Sequence, residues 1–467
     1  MSATLAGQVL CDGVAFPLTE LGAEHEDEAL LEYAICSKRE RKLHKQLRSA
    51  PTESAFRKKA EVYFASIACR FVSMVEQAKR LPRWKRLPIS TCLDLSKKLS
   101  LSQPITEPVA CWHEPKASGQ GFRLLHDFGP LHRAAQHMVL RVISARWEPK
   151  PFQYGVRKRG QADAVELIRK LILSGYHHGM TLDLRDFFNS FSRDALTTLL
   201  PLPKSIITNV VIPDNLKLKP KKGGTQATCN APGCASNSYT YPIPSPTVLP
   251  QGSACSNIVA AYVVSALDIV VPAGVVLTMY VDDICLLAKN ADDLKLAENA
   301  LLLAFEESAA GDFTFHLSED TLDDGGLRFL GYYLWFVPGT KNLLVSPTYE
   351  AKNMHKKECT LRERRVAYIA KINKAIVAEA IADYCLYRVA WAIAFRAADH
   401  FPLMLEQAIE RFVKLCLKHD VPVAYAKKLV GGAFVHEIVK TPKKSGGYSE
   451  KIKIAHLATA LLAVPGP

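Results

Sequence analysis

The chain of 467 residues is long enough for two or three domains, each burying its own core. Its 59 lysines and arginines against 46 acidic residues leave a formal net charge of +13, which suits a polyanionic partner. Twelve cysteines scattered through apolar runs argue against a disulfide framework. With no basic-then-apolar leader and no apolar run of membrane length, secreted and membrane-spanning readings are set aside and a cytoplasmic chain is expected.

Residues 1–27 read as a loosely structured acidic lead. From Glu28 to about Lys79 the pattern is helical, with Arg39, Arg41, Lys42 and Lys45 crowding one part of it. That cluster is either a solvated helix face or part of a nucleic-acid-binding surface. The run Gly160 to Ser174 predicts a helix leading into an apolar strand, Met180-Thr181-Leu182-Asp183-Leu184, which carries one carboxylate. An Asp ending a strand is usually a helix cap. Here Ser192, ahead of Ala195-Leu196, is the better cap, which leaves Asp183 without that role.

Residues 204–247 differ in texture: Lys217, Lys219, Lys221 and Lys222 precede a stretch rich in Gly, Thr, Asn, Ser and Pro. This polar insertion is either a flexible loop or a contact to RNA. Within it Cys229 and Cys234 could open a zinc site, but no second Cys/His pair follows at useful spacing. Leu249-Pro250-Gln251-Gly252-Ser253-Ala254-Cys255-Ser256-Asn257 then runs into an apolar helix. Gly252 followed by small residues lets a backbone approach a flat partner. The plainer reading is a loop-to-helix start capped by Ser256.

Val275 to Tyr280 and Ile284 to Ala288 are apolar runs on either side of Asp282-Asp283, so strand, acidic turn, strand is expected. Two like charges on a nearly buried hairpin cost stability unless a cation sits against them, although a solvated Asp-Asp turn is a common alternative. Asp183 on a second strand makes three carboxylates. Such a set can hold two Mg²⁺ about 4 Å apart for in-line phosphoryl displacement. Mg²⁺ suits it, because it shares its remaining positions with phosphates and water. Residues 292–308 fit an amphipathic helix. Ala351 to about Lys440 is helical in pattern, opened by Lys356, Lys357, Arg362, Arg364 and Arg365.

Taken in order, Asp183 with Phe188 five residues on, Leu-Pro-Gln-Gly-x-x-x-Ser from Leu249, Tyr280-Val281-Asp282-Asp283, and Phe329-Leu330-Gly331 resemble motifs A, B, C and E of the reverse transcriptase palm. Upstream, Lys116 to Arg123, Arg133-Ala134-Ala135-Gln136 and Gln153-Tyr154-Gly155-Val156-Arg157 are similar to the fingers segment of group II intron and retron enzymes. The likeness covers roughly residues 110–340.

That resemblance implies an α+β right-hand polymerase. A helical extension would occupy 1–79, fingers 80–175, and a palm of antiparallel sheet plus helices 176–340, interrupted by the insertion 204–247. A helical thumb and C-terminal region would follow over 341–467. Asp183 and Asp282 would be the principal metal ligands and Asp283 the third carboxylate. Phe188 would stand where the family blocks a ribose 2′-hydroxyl, or else be a core aromatic. Gln251 and Gly252 would lie under the template–nucleotide pair, and Arg123 and Lys116 would clamp the triphosphate. Arg362, Arg364 and Arg365, in the expected thumb, would grip duplex phosphates.

The implied activity is RNA-directed DNA synthesis, a nucleotidyl transfer using dNTPs, a primer, an RNA template and Mg²⁺, with Mn²⁺ as a substitute. Two departures stand out. Leu317-Ser318-Glu319-Asp320-Thr321 has an acid where many relatives carry a lysine, and Ser256-Asn257 replaces a common Ser-Pro. The Asn-Ala-x-x-His and Val-Thr-Gly signatures of retron enzymes are missing, as is any RNase H or endonuclease motif. The chain therefore looks most like the unassigned bacterial group that includes phage-defence and abortive-infection enzymes, whose relatives commonly work with a noncoding RNA. Alternatives are a retron or group II intron-like enzyme, an RNA-dependent RNA polymerase, and a non-catalytic RNA-binding protein on a polymerase scaffold. RNA polymerases of this kind usually carry Gly-Asp-Asp and no bulky gate, and a non-catalytic scaffold does not explain three surviving carboxylates.

Overall fold

The first strands fall where a loose lead is expected. In the computed structural model, which describes residues 8–12, 14–19, 22–81, 85–115, 122–156, 159–221, 248–322, 326–337, 340, 342–430, 436–442 and 448–454, β1 (Gln8–Cys11) pairs antiparallel with β2 (Val14–Pro17). Val9 faces Phe16 across the pair and both are buried. The signal was Asp12-Gly13 between two apolar runs, a hairpin dipeptide. Lys79 ties the turn down, donating to Asp12 and to Glu76 at 2.7 Å each.

Helices α1 (Ala23–Arg48), α2 (Glu53–Ala65) and α3 (Ile67–Arg80) fill the expected helical region, with α1 starting earlier than its pattern implied. The buried positions of α1 include Glu26, Ala29, Tyr33, Cys36, Glu40 and Leu47, one stripe at helical spacing. Its two acids are satisfied. Glu26 accepts from the amides of Ile89 and Ser90, at the start of α4 (Ile89–Lys98), where helical N–H groups lack partners. Glu40 accepts from the Tyr63 hydroxyl at 2.6 Å and from Arg141 at 3.0 Å. Strands β3 (Val109–Pro115) and β4 (Phe122–Asp127) pair antiparallel, followed by α5 (Pro130–Arg146).

After β5 (Gln153–Tyr154) and α6 (Gln161–Leu173) comes β6 (His178–Arg185), then the short helices α7 (Phe187–Ser190), α8 (Arg193–Leu199) and α9 (Lys204–Ile206). Ser192 caps α8 as expected, accepting from the Ala195 amide at 3.3 Å. The first half of the polar insertion is ordered structure, not loop. It holds α9, a π-helical turn (Ile207–Val211) and β7 (Leu218–Pro220), which pairs parallel with β3, Val109 opposite Leu218. Residues 222–247, with Lys222, Cys229 and Cys234, lie outside the described residues.

The chain continues through α10 (Ser256–Val264), β8 (Val275–Tyr280), β9 (Asp283–Ala288), α11 (Ala291–Glu306), β10 (Thr314–Thr321), β11 (Gly326–Phe329), β12 (Tyr332–Phe336) and β13 (Leu343–Pro347). Helices α12 (Tyr349–Ile372), α13 (Val377–Ala394), α14 (Phe401–Lys418) and α15 (Val423–Leu429) follow. The helical pattern expected to reach Lys440 stops short, because β14 (His436–Pro442) and β15 (Tyr448–Ile454) form an antiparallel pair.

Two compact units result. The first comprises Met1–Pro151, Leu184–Val270 and Ala300–Phe315; the second comprises Phe152–Asp183, Val271–Asn299 and His316–Pro467. The first contains the three-stranded sheet β4-β3-β7. In the second, Val165 and Ile168 of α6 pack with Cys285, Leu287, Phe329 and Tyr332, while α12 to α15 close a separate core around Ile381, Tyr384 and Phe412. A five-stranded sheet runs in the order β10-β6-β9-β8-β5, so this is a mixed α/β chain with several sheets and many helices. The ten described cysteines are free and buried. Among the described residues no helix is long and apolar enough to cross a membrane.

Candidate active site

β8 and β9 are joined by the two residues Val281 and Asp282, with Tyr280 opposite Asp283 and Val275 opposite Ala288. Such a short connection requires positive φ, and Val281 takes it at φ 60°, a costly conformation for a β-branched residue. The tip is braced from the side. Gln153 and Tyr154 of β5 run parallel to β8, opposite Met279 and Tyr280. Gly155 follows at φ 76°, where a Cβ would come within 3.2 Å of the Tyr280 and Val281 side chains.

β6 lies antiparallel on the other side of β9, and its register sets Asp183 opposite Asp283, with Leu182 opposite Ile284. Facing residues of an antiparallel pair share one side of the sheet, so the two carboxylates look at each other, and Asp282 adjoins them in the turn. All three are half-buried, while Leu182, Ile284 and Cys285 beneath them are buried. Burial, and then the charges of Asp283 and Asp282, push the Tyr280 phenol above its ordinary value. Among the described residues no three His, Cys, Asp or Glu side chains are gathered as a ready-made metal cluster.

Beyond Asp183 the chain turns sharply through Asp186, at φ 47°, whose carbonyl accepts from the amides of Asn189 and Ser190. Phe187 is buried and meets the rings of Phe188, Phe191 and Phe313. Phe188 is half-buried, and its carbonyl accepts from the Leu249 amide at 3.0 Å. A polar cleft of about 750 Å³ opens beside this turn, lined in part by Arg185, Asp186, Asn189 and Asp312. The sequence reading missed it, because Gly311, paired with Phe191, carries no chemical signal of its own.

The loop leading into α10 is held from several sides. Gly252 sits at φ 101°, and a Cβ there would lie 2.1 Å from the His126 carbonyl oxygen. The Gln251 carbonyl accepts from the His126 amide at 2.9 Å and lies 3.1 Å from the His126 ring Nδ1. Gln136 accepts from the Ala254 amide at 3.0 Å. Ser256 is not the helix cap that its position suggests. Cys255 takes that position, and the buried Ser256 hydroxyl donates to the Pro250 carbonyl at 2.9 Å.

Arg123 stands exposed on β4, opposite Glu114, on the face of the sheet that also carries Trp112 and Leu125. Lys116 lies outside the described residues. On α12, Arg364 and Arg365 are exposed, and the half-buried Arg362 lies 2.6 Å from Glu358 and 4.3 Å from the centre of the Tyr387 ring. At about 100° per residue, Arg362 and Arg364 point to different sides of the helix, so the three arginines do not form one cluster. The three aspartates belong to the second unit; Arg123, Phe188, Gln251 and Gly252 belong to the first.

Residues 115–318 match the family described as reverse transcriptase (RNA-dependent DNA polymerase). No curated protein matches the chain. Among solved structures, telomerase from Candida albicans in complex with a TWJ fragment of telomeric RNA aligns at 11% identity, over 71% of this chain, with a TM-score of 0.31. The alignment spans 66% of that telomerase chain. The matched residues contain all three aspartates, Phe188, Arg123 and the Gln251-Gly252 turn, and residues 115–318 are therefore a reverse-transcriptase-family domain within a longer chain.

Proposed function

We propose that the chain is an RNA-directed DNA polymerase that extends a primer with dNTPs by two-metal phosphoryl transfer, in a right-hand arrangement of fingers, palm and helical thumb. One observation carries the reading: Asp183 faces Asp283 across a strand pair, with Asp282 in the adjoining turn. Like charges placed opposite each other destabilise a sheet, so this register favours a cation between them. Carboxylate oxygens fit Mg²⁺, which needs only one or two of them and takes phosphates and water elsewhere; Mn²⁺ has similar tastes. Bound there, the ions would activate a primer 3′-hydroxyl and offset charge on the leaving pyrophosphate.

The rest falls to the chain's own residues. Arg123 offers an exposed guanidinium fork to phosphate oxygens. Phe188, beside the buried Phe187, excludes a ribose 2′-hydroxyl by bulk, and the exposed Gly252 lies with Gln251 under the nascent pair. Template sequence is read by base pairing. The narrower reading, copying of a structured noncoding RNA in bacterial antiphage defence, is supported by the likeness to the unassigned enzymes and by the net charge of +13.

Purified protein given a primed RNA template, dNTPs and Mg²⁺ should extend the primer. Asp282→Asn with Asp283→Asn should abolish extension and leave the fold intact, since losing the charges relieves repulsion in the metal-free protein. Extension at the parental rate by the double variant would place the chemistry elsewhere.

A further inference from the structure

The turn from Pro250 to Cys255 is the stretch that the proposed function sets against the nascent base pair. The Ser253 amide, donating to the Pro250 carbonyl at 3.2 Å, shapes it from within, and contacts from elsewhere in the chain hold it in place. Two buried side chains from other elements of the same unit hold its backbone. His126, on β4, is 4% exposed, and Gln136, on α5, is 1% exposed. They lie 125 and 118 residues from the atoms they grip.

The chemistry of the first contact is fully determined. A carbonyl oxygen only accepts, so the His126 Nδ1, 3.1 Å from the Gln251 carbonyl, carries a proton. Burial lowers the imidazole below its ordinary value, which favours the neutral ring with its proton on Nδ1. Its main-chain amide gives the same oxygen a second hydrogen bond at 2.9 Å. Its own carbonyl occupies the space that a side chain at position 252 would need. The ring is kept in place by stacking on Phe128, with centroids 5.8 Å apart and planes 24° from parallel.

The second contact acts two residues further on. The Gln136 side-chain carbonyl accepts the Ala254 N–H at 3.0 Å. Inside the turn, Ser256 donates to the Pro250 carbonyl. The backbone is thus fixed at Pro250, Gln251 and Ala254, while Gly252 is exposed between them.

We infer that His126 and Gln136 are positioning residues that set the height of the Gln251-Gly252 backbone, and through it the affinity for dNTP and the rejection of mismatched pairs. The inference rests on the polymerase reading above. Both side chains act on the backbone of the turn, so the loss of either should change binding and fit and leave the chemical step alone.

The test measures single-nucleotide incorporation on a primed RNA template, separating KM from kcat and scoring misinsertion, with thermal melting as the check on folding. Gln136→Met keeps the length of the side chain and loses the acceptor; His126→Leu loses the donor. Each should raise KM for dNTP roughly tenfold, the worth of one buried hydrogen bond, with kcat within about twofold and misinsertion increased. Gln136→Glu retains an oxygen at the same place, and His126→Asn places an amide N–H where Nδ1–H stood, so both should return KM and misinsertion toward the parent. If His126→Leu does not fold, the near-isosteric Gln136→Met carries the test. A folded Gln136→Met with parental KM and misinsertion overturns the inference. So does Gln136→Glu behaving like Gln136→Met, which would make the hydrogen bond irrelevant. Both leave the polymerase reading standing; a parent protein that incorporates nothing removes that reading and the inference with it.

Discussion

Phe187 and Phe188 are neighbours with different surroundings, and the difference can be measured. Phe187 is enclosed by Phe191 and Phe313. Phe187→Ala should therefore cost about 3–5 kcal/mol of stability, read from urea unfolding. Phe188 is half-buried. Phe188→Ala should leave the fold intact and raise relative rNTP incorporation by about 10²-fold or more. Unfolding of the Phe188 variant, or unchanged rejection of rNTPs, would make it a second core aromatic. The placement of the three aspartates on two strands and a tight turn was legible in the sequence, because apolar runs flank each of them. His126 was not. A single histidine in a strand has no periodicity, and its role depends on a carbonyl far along the chain.

At the scale of elements, strong periodicity was read well. The helix expected over Gly160 to Ser174 is α6, Gln161–Leu173, and that expected over 292–308 is α11, Ala291–Glu306. The misses are short strands. β7 has three residues, too few to show alternation, and what makes it a strand is a partner about a hundred positions earlier. β14 begins just beyond a helical run, and its first residues were absorbed into that pattern. Within α12, His355 lies flat against Trp391, centroids 3.8 Å apart, with its Nε2 3.4 Å from the Cys359 sulfur. Burial, and then the nearby Arg388 cation, lower its pKa to about 4. The unfolded chain binds a proton near pH 6.5, so stability from this site is full above that pH and is lost as pH falls toward 4. His355→Phe should flatten the dependence of the urea midpoint between pH 7 and pH 5. An equally steep profile in the variant would assign the dependence to other groups.

Across the whole molecule, charge is the property most visible in the sequence and least specific in meaning. If the net +13 serves a structured RNA, affinity should fall steeply with salt, with a slope near one per phosphate contacted. RNA titrations at 50 and 200 mM salt measure it, roughly the range over which such contacts are screened. Reversing Arg362, Arg364 and Arg365 to Glu should reduce that slope. Equal slopes for parent and triple variant would remove α12 from the RNA contact. The division into two units was hidden from a linear reading, because each is assembled from three separate stretches.

The pairing of β7 with β3 also has a consequence in time. Val109 leaves the ribosome long before Leu218, its partner, has been made. At 5–20 residues per second the interval is on the order of 5–20 s. Through that interval one edge of β3 has unpaired amide and carbonyl groups, the situation in which nascent chains pair wrongly with one another. Slowing elongation between these positions should lengthen the vulnerable period and increase the insoluble fraction, while the same delay placed after residue 221 should not.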